Sequence, residues 1–72
     1  MRDLPIRGES IRLGQALKLS GLAESGGEAR ALVEDGAVTV NGEVETRRGR
    51  QLRHADVFAV GDDALRIEAP AG

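Results

Sequence analysis

The chain has 72 residues, ten basic and twelve acidic, and a net charge of −2, which makes one small domain with no room for a second. No cysteine is present, so disulfides and thiolate metal sites are excluded, and a chain of this size buries only about 60% of its unfolded surface. No apolar run approaches the ~20 residues that cross a bilayer, and MRDLPIRGES has no hydrophobic segment of the signal-peptide kind, so a cytoplasmic address is expected.

Residues 1–9 form an extended lead-in. Pro5 forbids a helix interior there, Gly8 marks a turn, and Leu4 and Ile6 fall two apart as on an edge strand. A first helix is expected from about Leu13 to Ser20, with Leu13, Ala16 and Leu17 on one face and Gly21 ending it. The short connection Gly21 to Glu24 makes an αα-hairpin, with Leu22 dropping into the core between the helices. Ser25 is a good N-cap and Glu28 completes the capping-box spacing. Ala29, Leu32 and Val33 then give a second apolar stripe, stopped by Gly36.

Val38-Thr39-Val40 alternates with period two and runs into Asn41-Gly42, the strongest short hairpin signal, with Val44 beyond it. Arg47, Arg48, Arg50 and Arg53 follow, with no acid among them. The remainder holds six bases against twelve acids, so the molecule is an acidic body with one concentrated basic segment. Local field, more than total charge, steers a polyanion. Val57 to Val60 reads as a strand, Gly61-Asp62-Asp63 as a turn and Leu65-Arg66-Ile67 as a last strand, with a frayed tail from about residue 69. The whole of 1–72 is thus expected to be a single domain.

The order of two helices followed by Gly36-Ala37-Val38-Thr39-Val40-Asn41-Gly42 resembles the S-four RNA-binding domain, named after protein four of the small ribosomal subunit. Arg12-Leu13, Leu17-Lys18, Glu28-Ala29-Arg30 and Asp56-Val57 belong to the same pattern, which covers roughly Ile6 to Val60. The run GEVETRRGRQL looks like the small stand-alone bacterial branch of that family. The resemblance implies an α+β fold of the alpha-L RNA-binding type, an αα-hairpin packed on a small antiparallel β-sheet, with a basic face that docks structured RNA. Lys18 and Arg30 match frequently basic positions, Asn41-Gly42 matches the turn, and Arg47, Arg48 and Arg50 match the basic segment after it. The chain departs from the family at Ser25-Gly26, where many members have Ser-Arg. It departs again at Gln51, often lysine, and at His54-Ala55-Asp56, which replaces a Pro-Gly-Asp turn.

Guanidinium groups suit phosphate oxygens because each offers a planar fork of donors. The competing use is pairing with Glu43 or Glu45, and Arg30 has Glu34 one helical turn on. Arg12 and Arg53 complete the candidate RNA-binding set of Lys18, Arg30, Asn41, Arg47, Arg48 and Arg50; Asn41 is first of all a turn residue. Phe58 is the sole aromatic and the strand pattern places it in the core, so no surface ring remains to stack bases. The expected target is therefore folded RNA, which the resemblance implies is ribosomal RNA or a ribosomal assembly, bound by a monomer. An adaptor that binds proteins on the same fold is the alternative, and phosphate contacts alone do not separate RNA from DNA. An enzyme is not expected. His54 is the single histidine, no triad or metal cluster is available, and no phosphate-loop motif occurs, so neither cofactor nor small-molecule substrate is called for.

Overall fold

The computed structural model describes residues 1–70; the last two positions of the expected tail lie outside the described residues. Two helices, α1 (Leu13–Leu19) and α2 (Gly26–Glu34), follow strands β1 (Arg2–Pro5) and β2 (Ser10–Arg12). Five more strands complete the chain: β3 (Val38–Val40), β4 (Glu43–Val44), β5 (Gln51–Arg53), β6 (Val57–Val60) and β7 (Asp63–Glu68).

Local rules account for α2 and for the hairpin after it. Ser25 is extended and its hydroxyl accepts from the Glu28 N–H at 3.1 Å, so the expected cap forms. At the other end Gly36 has φ +74°, its N–H donates to the Val33 carbonyl, and the Ala37 N–H donates to Leu32. That pair of bonds is the Schellman arrangement, in which a left-handed glycine satisfies the last carbonyls. The tip of the β3–β4 hairpin has positive φ at both Asn41 (51°) and Gly42 (86°), the twist that matches two antiparallel strands.

The first helix obeys a different logic. Arg12 gives no side-chain cap. The N–H groups of Leu13 and Gly14 instead donate to the backbone carbonyls of Arg50 and Arg48, at 2.8 and 2.9 Å. A seven-residue helix is too short to persist unaided, so these distant acceptors are part of what holds it. Leu22, expected to fill the space between the helices, is half-buried, and its neighbour Ala23 takes the inner position while donating its N–H to Leu17.

The main sheet has the order β1-β7-β6-β3-β4. It is mixed, which corrects the expectation of an antiparallel sheet: β1 runs parallel to β7, with Arg2 opposite Leu65 and Pro5 opposite Glu68. A separate two-stranded ribbon pairs β2 with β5. Alternation along the strands sends Leu4, Val38, Val40, Phe58, Leu65 and Ile67 inward against Leu13, Ala16, Leu17, Ala29 and Val33 from the helices. Leu52 of the ribbon closes the same core. Phe58 is fully buried at its centre.

His54-Ala55-Asp56 keeps a glycine-type turn without the glycine. Ala55 sits at φ +74°, with its N–H bonded to the Ile67 carbonyl and the Asp56 N–H bonded to Arg53. A side chain in that region costs about 1–2 kcal/mol. Ala55→Gly is therefore expected to raise stability by about 1 kcal/mol; a chemical-denaturation midpoint that stays put or falls would contradict the strain. The tail is partly fastened here too, since the Ala69 N–H donates to His54 Nδ1 at 3.1 Å.

Candidate nucleic-acid interface

The segment that carries the arginines leaves β4, crosses the start of α1 and zips onto β2 as β5. Its crossing is a tight turn, Arg47 to Arg50, closed by the Arg50 N–H on the Arg47 carbonyl at 3.1 Å. Arg48 and Gly49 form the corner. The Arg48 carbonyl is the one that caps Gly14, and a Cβ on Gly14 would sit 3.6 Å from the Arg48 Cβ, so corner and helix touch.

A depression of about 300 Å³ opens between this corner and the two helices. Arg12, Lys18, Arg30 and Arg48 line it, together with Gln15, Ala29 and the glycines at 14, 26 and 49; no acidic side chain does. Arg12 is the last residue of β2, Lys18 lies on the final turn of α1, and Arg30 is on the second turn of α2. Three elements and one turn thus bring four cations around one concavity. Arg30 also pairs with Glu34 at 3.0 Å, both side chains being 58% exposed. An exposed pair of this kind contributes only a few tenths of a kcal/mol, so phosphate can displace the carboxylate at little cost.

The other candidates stand apart from the cleft. Arg47 and Arg50 both hold Glu45, at 3.3 and 2.9 Å, and the Glu45 carboxylate also accepts from the Arg47 N–H. Glu45 is 7% exposed and is the one buried charged residue among those described. The side-chain bond from Arg50, then those from Arg47, hold its carboxyl well below the usual range, at about 2. Arg53 lies on the outer face of the ribbon opposite Ser10, because Leu52 and its partner Ile11 face the core. Asn41 serves the scaffold: its amide N–H donates to Asp56 and its carbonyl oxygen accepts from the Val57 N–H. Burial works against the charged form of Asp56, but the Arg53 N–H, the Asn41 amide and the charges of Arg50 and Arg53 outweigh it and lower the pKa.

One contributor escaped the sequence reading. Gln15 lines the cleft one turn before Lys18, and nothing but its i, i+3 spacing to Lys18 signals it. Glu45, by contrast, is one of the two acids named as a competing use for the arginines, and Arg47 and Arg50 do pair with it.

A family profile described as the S4 domain matches residues 4–68, from the second half of β1 to the end of β7. The chain belongs to the S4 domain family. A protein of Bacillus subtilis (strain 168) named "Probable ribosome maturation protein RlbA" is 44% identical over 52 residues, covering 72% of this chain and 73% of that protein. Among solved structures, the 30S ribosomal protein S4e of Thermoplasma acidophilum superposes with a TM-score of 0.62 at 22% identity. The superposition covers 81% of this S4 domain but 31% of the Thermoplasma chain, so the present chain spans about a third of that protein and shares its fold there. S4 domains are RNA-binding domains, and the cleft is the basic concavity that this member's helices build.

Proposed function

We propose that this S4 domain binds structured RNA, without catalysis, by seating the phosphate backbone in the cleft lined by Arg12, Lys18, Arg30 and Arg48. The observation that carries this reading is the concavity itself: four cations and no acid, on a molecule whose net charge is negative. The acidic remainder repels a polyanion elsewhere, so the approach is oriented. Phe58 is buried, so the described surface offers no aromatic platform for stacking unpaired bases, which favours recognition of backbone and shape. The Bacillus relative is named for ribosome maturation, which supports ribosomal RNA as the partner and the cytoplasm as the place.

The test is a titration of folded ribosomal RNA fragments at a series of salt concentrations. About four neutralised phosphates should give a log–log slope of about −2.8 to −3.6, since each contact contributes about −0.7 to −0.9. Absent binding, or binding insensitive to salt, would reject the reading. A partner protein captured by this chain and retained after nuclease digestion would instead support an adaptor.

A further inference from the structure

We infer that Glu45 is a positioning residue for RNA docking: by gathering Arg47 and Arg50 onto one carboxylate it fixes the turn that presents Arg48 to the cleft. The inference rests on the cleft being the RNA site and reassigns two of the arginines beside it. Both oxygens of Glu45 are occupied. Oε2 accepts from the Arg47 N–H at 3.1 Å and from Arg47 Nε at 3.3 Å; Oε1 accepts from Arg50 Nη1 at 2.9 Å and Arg47 Nη2 at 3.5 Å. An ionised carboxylate has about four acceptor sites, so this one is saturated.

The two anchored arginines lie on either side of the corner, and the corner does the docking. Residues 47 and 50 are tied back to Glu45, while 48 and 49 line the cleft. The same turn supplies the carbonyls that cap Leu13 and Gly14, so the carboxylate, the turn and the start of α1 form one linked unit. Glu45 is 7% exposed and already committed to two cations, which leaves it poorly placed to repel an approaching phosphate. Arg47 and Arg50, for their part, act on RNA through the shape of the turn.

Charge and geometry then predict opposite results for Glu45→Gln. The substitution keeps size, adds one unit of positive charge and releases two arginines, so a surface that worked by field alone would bind RNA more tightly. The amide can still accept, but its NH2 group faces guanidinium donors, and the turn loses its anchor. We expect RNA affinity to fall roughly tenfold, the change corresponding to one charge-assisted hydrogen bond. Amide exchange at Leu13 and Gly14 should quicken in the folded variant. Arg47→Gln/Arg50→Gln should also weaken binding yet keep the wild-type salt slope, whereas Arg48→Gln should lower the slope by about 0.7–0.9.

Folded ribosomal RNA fragments serve as the probe, with wild type alongside and thermal melts to establish folding. Equal or tighter binding by folded Glu45→Gln overturns the inference, as does a slope reduced by the Arg47→Gln/Arg50→Gln pair. Should Glu45→Gln fail to fold, that pair decides the matter by its slope. Failure of wild type itself to bind would instead strike the reading of the cleft, and the two failures are thereby distinguished.

Discussion

Replacing Arg12, Lys18 and Arg48 together by glutamate is expected to lower affinity for folded RNA on the order of a thousandfold, about 1.4 kcal/mol for each site. Each reversal removes an attraction to phosphate and adds a repulsion in its place. All three side chains are exposed and make no ion pair among the described residues, so the fold should tolerate the change. Lys18 lies in the last turn of α1, where an acid opposes the helix dipole, so a loss of about 0.3–1 kcal/mol of stability is the foreseeable side effect. The control is Arg2→Glu/Arg7→Glu/Arg66→Glu, which shifts net charge equally at residues that do not line the cleft. If both variants lose binding to the same degree in a filter or anisotropy assay, total charge governs the association and the cleft has no special part.

Phe58→Ala should cost about 3–5 kcal/mol, enough to unfold much of the population of a domain this small. Phe58 is the largest fully buried side chain, paired to Val40 on one side and Leu65 on the other within the sheet. Its surroundings are leucine, valine, isoleucine and alanine, and no second aromatic is present to fill the space left behind. Urea unfolding followed by far-ultraviolet circular dichroism would measure the loss. A midpoint within experimental error of wild type would mean that the sheet collapses onto the void far more readily than its packing suggests.

What the sequence discloses divides by the distance over which each feature is specified. The Ser25 cap, the Gly36 stop and the Asn41-Gly42 turn each depend on residues within four or five positions of one another, and each forms as the sequence indicates. The parallel pairing of β1 with β7 joins residues 63 apart, and the β2–β5 ribbon joins residues 41 apart in strands of three. Segments so short carry too little alternation to name a distant partner. The cleft follows the same division. The types of its side chains are plain in the sequence, and Lys18 and Arg30 stand out by family pattern. Their convergence with Arg12 and Arg48 depends on the carbonyl caps at α1, and the diversion of Arg47 and Arg50 to Glu45 depends on where β4 releases the chain. At Gly26 an added Cβ would meet nothing within 4 Å, so the cleft keeps an open wall beside the first turn of α2.

The pairing of β1 with β7 also bears on how the domain comes into being. A nascent chain emerging from a ribosome offers β1 first and its hydrogen-bonding partner only after nearly every other element has been made. Leu4 is buried in the finished domain, and Ile67, which it faces across the strands, is absent throughout that interval. Until β7 is made the sheet can reach no further than β6, so the contacts that complete it have the longest sequence separation in the molecule and are among the last that synthesis makes available.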